Sequence, residues 1–254
     1  MKLLAIDIGN TSAHFIQFTN GRFQRPLRIA TSRLVSAGLW KILKKRYAFS
    51  EIRAVAIASV VPVAGRFLKR ELSRRFGRPV YLIGKDFPVP ISNRYKNPRQ
   101  VGVDRLLNAL AAHRRFKKEC IVVDFGTAIT FDVVSKKGEY LGGVIAPGIE
   151  ISLEALFQKT ALLPRTRLKH PRNAIGKDTA ESIRVGCSVG IGGLCDRVIE
   201  TISRRHRLRP AIIATGGYAA FMSRYCEKIG AIDPLLIMRG IVLSFAEKNS
   251  LTKK

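Results

Sequence analysis

The sequence lacks any apolar run near the roughly 18 residues that a membrane-spanning helix needs. Only Leu3 to Ile6 stand between Met1-Lys2 and Asp7, too few for the apolar core of a signal peptide, so a cytoplasmic protein is expected. Its four cysteines, Cys120, Cys187, Cys195 and Cys226, are scattered without a C-x-x-C pair. Cys120 and Cys187 lie in apolar surroundings and read as buried thiols, and the spacing indicates neither a zinc site nor a disulfide framework. Low-complexity segments and flexible linkers are also missing. Acidic residues are scarce, with 18 Asp and Glu against 45 Lys and Arg, a formal net charge of +27. That excess attracts polyanions non-specifically. The basic clusters at 41–46, 74–78, 114–118, 165–172 and 204–209 are dispersed, however, and lack the interleaved aromatic residues that stack bases. They read as solvated helix faces and loops that can also steer anionic substrates. Sequence-independent, salt-sensitive contact with nucleic acid is expected, and no specific nucleic-acid partner.

With 254 residues, 46% of them apolar, there is enough material for one large domain or two of ordinary size with proper cores. Residues 3–18 carry the central signal. An apolar run ends in Asp7-Ile-Gly-Asn-Thr11 and resumes as a second apolar run, which reads as strand, polar turn, strand. Gly9 lets the backbone approach a ligand without Cβ interference, while Asn10 and Thr11 add an amide and a hydroxyl, a combination suited to phosphate. A carboxylate beside phosphate is repulsive unless a cation lies between them. Asp7 therefore implies Mg²⁺ wherever the ligand is a nucleotide. Residues 120–134 repeat this grammar with one residue fewer, Asp124, Gly126 and Thr127 mirroring Asp7, Gly9 and Thr11. Two such units half a chain apart point to a duplicated fold whose loops face one cleft.

Further strands are expected at 27–31, 53–62 and 80–83, with helices at 34–47 and 64–76. The resulting β-β-β-α-β-α-β order is that of one half of an actin-like nucleotide-binding fold. A long turn-rich loop at 84–102, of a kind commonly functional, leads into a helix at 104–116. The second half is expected to supply strands at 121–124, 129–134 and 140–145, a helix from Glu150, and a long helical stretch capped by Asp178 or Thr179 and interrupted near 190–193. A strand at 211–217 ending in glycines, a last short strand at 235–238 and a closing helix complete it. The domain boundary falls at 115/116, giving 1–115 and 116–254. The fold class is thus α/β, a duplicated actin-like (ribonuclease H-like) two-domain fold with mixed sheets and an interdomain nucleotide cleft.

Asp104 stands at or near a helix N-terminus directly after the turn-rich loop, where a carboxylate can simply cap the helix. It can also accept the proton of a hydroxyl undergoing phosphorylation. Asp7 and Asp124 are engaged with cations in this reading, whereas neighbouring Arg105 can keep Asp104 ionised and orient a substrate.

With these pieces placed, the sequence resembles the type III pantothenate kinases, within the superfamily of acetate kinases, sugar kinases and actin. The resemblance covers nearly the whole chain. It rests on Asp7-Ile-Gly-Asn-Thr11, Ser59-Val-Val-Pro62, Gly102-Val-Asp-Arg105, Asp124-Phe-Gly-Thr-Ala-Ile-Thr130, Gly142-Gly-Val-Ile-Ala-Pro-Gly148, Gly176-Lys-Asp-Thr179 and Thr215-Gly-Gly217, all in the family's order. It implies ATP-dependent phosphorylation of pantothenate to 4′-phosphopantothenate, the first step of coenzyme A synthesis, by a homodimer that uses Mg²⁺ and K⁺ or NH₄⁺. It also implies that Asp7, Ile8, Gly9, Asn10, Thr11, Ser12, Ala13, His14 and Thr127 contact ATP, that Asp124 binds the monovalent cation, and that Tyr95, Gly102, Val103, Asp104, Arg105 and Thr179 hold pantothenate. The long helical stretch from Asp178 carries more apolar surface than one small domain covers, so the dimer is expected through the second half. Residues 12–17, Ser-Ala-His-Phe-Ile-Gln, depart from the family's small or apolar residues, and His14 reads as a structural histidine on a strand. Two alternatives remain: a same-fold kinase acting on another small hydroxy acid, and a catalytically weak regulator that binds nucleic acid. Intact Asp7, Asp104, Arg105 and Asp124 favour an enzyme.

Overall fold

The computed structural model describes residues 1–36 and 38–251. They form two compact units, Met1–Ala111 together with the chain from Leu235 onward, and Ala112–Pro234.

In the first unit, β1 (Lys2–Ile8) and β2 (Ser12–Thr19) make an antiparallel hairpin in which Asp7 is opposite His14. The short strands β3 (Arg22–Phe23) and β4 (Leu27–Ala30) both pair with β2. Beside β1 run α1 (Leu39–Arg46), β5 (Ala54–Ser59), α2 (Pro62–Phe76) and β6 (Val80–Leu82), with β5 parallel to β1 and β6 parallel to β5. The strand order is β3-β2-β1-β5-β6. Side chains alternate across a strand, so the apolar run of β1 must bury both faces. Leu4, Ile6 and Ile8 join Val55, Ile57, Leu43 and Leu68 on one side, whereas Leu3 and Ala5 join Ala56, Leu107 and Phe245 on the other. Each large aliphatic chain so buried contributes roughly 1.5–3 kcal/mol. Proline at the first helical position of α2 and Gly77 at φ +64° after its end are what its length requires. The loop at 84–102, which includes β7 (Ser92–Asn93), leads into α3 (Val103–Phe116).

The second unit repeats the plan. β8 (Cys120–Phe125) and β9 (Ala128–Val134) form the hairpin, β10 (Glu139–Pro147) extends it, and the parallel strand beside β8 is β11 (Ala211–Thr215), followed by β12 (Ala231–Ile232). The strand order β12-β11-β8-β9-β10 reproduces the antiparallel hairpin flanked by two parallel strands of the first sheet. Ile121, Val123, Phe125, Ile129, Phe131 and Val133 face a core shared with α4 (Ile149–Gln158), α5 (Thr179–Val185) and α6 (Ile191–Arg205). The alternating residues Asp124, Thr130 and Asp132 take the opposite face of that sheet. The short helix α7 (Ala219–Met222) follows β11. Cys120 and Cys187 are buried as read, and burial, reinforced by Glu119, pushes the Cys120 thiol up to about 12.

The structure departs from expectation in several places. Residues 235–238 are not a strand: Leu236 opens the closing helix, Leu236–Leu251, and the strand is Ala231–Ile232. A run of four apolar residues suits either state, and here the helical spacing of Met238, Ile241, Val242 and Phe245 decides, all four being buried in the first unit's core. The closing helix therefore packs with the first unit and not with residues 116–234, unlike the boundary at 115/116. A Cβ on its Gly240 would collide with the Leu107 carbonyl, so this helix and α3 meet backbone to backbone. The helix expected at 34–47 begins only at Leu39, after a 3₁₀ turn at Thr31–Arg33; Ala37 of that stretch lies outside the described residues. The long helix of the second half is interrupted by a π turn at Gly186–Gly190, slightly earlier than expected.

Candidate functional site

The first loop is the turn between β1 and β2. The Gly9 N–H donates to the Ser12 carbonyl at 3.0 Å, closing it tightly. Thr31 holds it from outside: its hydroxyl donates to the Gly9 carbonyl at 2.7 Å and its N–H to the Thr11 carbonyl at 3.1 Å. Asn10 and Thr11 are exposed at the tip, Asp7 and Ser12 half-buried beneath it. His14 Nε2 shares a 3.1 Å hydrogen bond with the Ser12 hydroxyl. Burial first, and then Arg28 on the neighbouring strand, push the His14 pKa down, favouring the neutral ring.

Against this loop stands the start of α3. Gly102 occupies the position before the first helical residue, which places Asp104 inside the first turn instead of at the cap. Its Oδ1 accepts the Arg105 N–H at 2.8 Å. A Cβ on Gly102 would collide with that same Oδ1, so glycine here is a steric requirement of the carboxylate's position. Val60 ties the two pieces together: its N–H donates to the Ile8 carbonyl at 3.1 Å, and its Cγ1 lies 3.5 Å from where a Gly102 Cβ would be. The Asp104 pKa is raised. Burial is the largest cause, outweighing the Arg105 N–H and guanidinium that pull the other way. Desolvation therefore outweighs the neighbouring Arg105 in shifting this pKa.

In the second unit, the Gly126 N–H donates to the Ala128 carbonyl at 3.2 Å and closes the turn between β8 and β9. Asp124 lies in register with Thr130 on one side and Thr215 on the other. Glycines wall this loop. Gly216, at φ +89°, would drive a Cβ into Asp124 Oδ1 and the Phe125 carbonyl; a Cβ on Gly126 would sit 3.3 Å from Oδ1; a Cβ on Gly148 would collide with the Thr127 carbonyl. Side chains at these positions would crowd the carboxylate and these carbonyls, so glycine is required beside them.

Tyr95 sits in a loop ordered by side-chain turns, Asn93 Oδ1 accepting the Tyr95 N–H at 3.0 Å and Asn97 Oδ1 the Arg99 N–H at 3.3 Å. Thr179 is the exposed first residue of α5, and Asp178 caps that helix by accepting the Glu181 N–H at 2.7 Å. The structure thus joins the 7–14 turn to Gly102–Arg105 on the first unit and gathers Asp124 and Thr127 on the second. Thr31 and Asp132 escaped the sequence reading, and Val60 entered it only as part of Ser59-Val-Val-Pro62. Only Asp132 left a signal, the alternation of β9 that puts it on the face of Thr130.

Hard oxygen donors dominate both loops. Among the described residues no three or more His, Cys, Asp or Glu side chains cluster as a metal site, so a cation at Asp7 or Asp124 would take its remaining ligands from carbonyls, hydroxyls or phosphate. A Cβ on Gly216 or Gly126 would crowd Asp124 Oδ1, so both glycines spare the room beside that oxygen.

The family model of type III pantothenate kinases matches residues 3–201. Among curated proteins, the type III pantothenate kinase of Geobacter sulfurreducens is 36% identical over 253 residues, 97% of this chain and 99% of that one. That of Anaeromyxobacter sp. strain K is 38% identical over 245 residues, 94% and 96% of the two chains. Among solved structures, the inorganic polyphosphate/ATP-glucomannokinase of Arthrobacter sp. strain KM shares the fold, with a TM-score of 0.52 at 17% identity over 97% of each chain.

Proposed function

Because the chain belongs to the type III pantothenate kinase family, we propose that Asp104 is the base of its reaction and that the two glycine-lined loops serve ATP. It is a kinase that phosphorylates pantothenate to 4′-phosphopantothenate, the first step of coenzyme A synthesis. The observation that carries the assignment is the half-buried Asp104 carboxylate, held in the first turn of α3 by the Arg105 N–H and given room by Gly102. The primary hydroxyl of pantothenate forms a bond to the γ-phosphorus while the bond from that phosphorus to the bridging oxygen breaks, and ADP leaves. The hydroxyl proton passes to Asp104. Arg105, mostly buried beside it, together with Gly102, Val103, Tyr95 and Thr179, holds the acid. Residues 7–14 and Thr127 contact ATP. Asp7 would hold Mg²⁺ and Asp124 K⁺ or NH₄⁺, ions that neutralise phosphate charge when bound.

An ADP-release assay over a panel of small hydroxy acids, run with and without K⁺, tests this. Turnover should require pantothenate, a divalent ion and K⁺ or NH₄⁺. Full turnover in Na⁺ buffer free of both would remove the Asp124 assignment, and preference for another acid would replace the substrate.

The protein should be a homodimer through the second unit, which exposes Ile151, Phe157, Leu162, Ile175, Val189 and Leu194, with Leu162 at 91% and Ile175 at 71%. Thr179 would then lie near the interface. Light scattering at micromolar concentration should give twice the 28.2 kDa chain mass. A fully active single chain would refute it.

A further inference from the structure

Asp132 on β9 is fully buried, yet it lies on the sheet face away from the apolar core. Its Oδ2 accepts the Thr130 hydroxyl at 3.2 Å and its Oδ1 accepts the Tyr140 hydroxyl at 3.0 Å. Thr130 in turn pairs directly with Asp124 across the hairpin. Residues so paired carry their Cβ atoms about 4.5–5.5 Å apart on one face. A hydroxyl has one proton and two lone pairs. With the proton of Thr130 committed to Asp132, what Thr130 presents beside Asp124 is lone-pair density.

We infer that Asp132 is a positioning residue of the second loop: it fixes the Thr130 hydroxyl as an acceptor next to Asp124, a second oxygen for the cation that Asp124 would hold, and so sets how tightly the enzyme holds ATP. This rests on the reading that Asp124 serves ATP. Asparagine keeps the size of aspartate but offers one acceptor and one donor, so in Asp132→Asn one of the two hydroxyls must reverse its bond. A purely structural Asp132 would behave differently. Its loss would lower the melting temperature and leave ATP affinity alone.

The test compares Asp132→Asn, Thr130→Val, Thr130→Ser, Tyr140→Phe and Asp124→Asn, each checked for a cooperative melt. KM for ATP, kcat and ATP affinity by isothermal titration calorimetry are measured on each. Asp132→Asn and Thr130→Val should raise both KM and Kd for ATP about ten- to a hundredfold, the loss of one hydrogen bond to a charged group, with kcat at saturation little changed. Thr130→Ser, which restores the hydroxyl, should return ATP affinity close to wild type. Tyr140→Phe should cost stability more than affinity. If Asp132→Asn does not fold, the Thr130 pair decides. Wild-type ATP affinity in Asp132→Asn and Thr130→Val, alongside weakened binding in Asp124→Asn, would overturn the inference alone. Intact binding in Asp124→Asn would overturn the reading of the second loop and this inference with it.

Discussion

Asp104→Asn should lower kcat by roughly 10²- to 10⁴-fold while ATP affinity is unchanged, the loss expected when a general base is removed. Asparagine keeps an oxygen to accept the Arg105 N–H, so the first turn of α3 loses little. The pH profile adds an independent readout. A base works only when ionised, and burial raises the Asp104 pKa above its ordinary value of 3.8. The acid limb of the wild-type kcat profile should therefore lie at higher pH than an unperturbed aspartate would place it, and it should vanish from the residual activity of the variant. Stability moves in the opposite direction. A carboxyl with a raised native pKa binds its proton more tightly folded than unfolded, so its contribution falls as pH rises from the unfolded value to the native one. Above that window the ionised group carries the cost of burial, and Asp104→Asn at neutral pH should melt no lower than wild type. A carboxylate serving only the helix terminus would be replaced by asparagine nearly silently in kcat, since asparagine serves that role about as well. Near-normal turnover in the well-folded variant would leave substrate-assisted transfer as the better account.

The duplicated hairpins were legible because Asp7-x-Gly and Asp124-x-Gly each interrupt an apolar run, and the matching strand orders of the two sheets follow from that repetition. The position of Asp104 beside a helix start was legible from Gly102-Val-Asp-Arg105. The direction of its pKa shift was not, because Arg105 is visible in the sequence and the surfaces that desolvate Asp104 are not. Thr31 lies 22 residues from the Gly9 carbonyl it supports, and nothing local marks it. The closing helix misled for a different reason: Leu235-Leu-Ile-Met238 satisfies either period, and only the contacts of Ile241 and Phe245 with the first unit's core settle it. Glycines were legible as turns, but their second role, making room for Asp104 Oδ1 and Asp124 Oδ1, needs coordinates.

Gly102→Ala should lower kcat by about a hundredfold although every reacting group is still present. The added Cβ has no room while Asp104 Oδ1 stays where it is. Two things can yield, the backbone or the carboxylate. Gly102 is not held at positive φ, so alanine meets no conformational barrier there. At the position before a helix, alanine in place of glycine costs on the order of 1 kcal/mol, a fall of about 2–4 °C in Tm for a chain of this size. The carboxylate is the softer element, since a χ rotation frees it at the expense of one hydrogen bond to the Arg105 N–H. Displacement of a reacting group by about 1 Å is enough for a loss near 10²-fold. Because the glycine acts only through the carboxylate, the double variant Gly102→Ala/Asp104→Asn should be no slower than Asp104→Asn alone, the non-additivity of two changes to one device. KM for ATP should hold in all three proteins. Additive losses in the double variant, or wild-type turnover in Gly102→Ala, would mean that the contact between Gly102 and Asp104 does not govern the base.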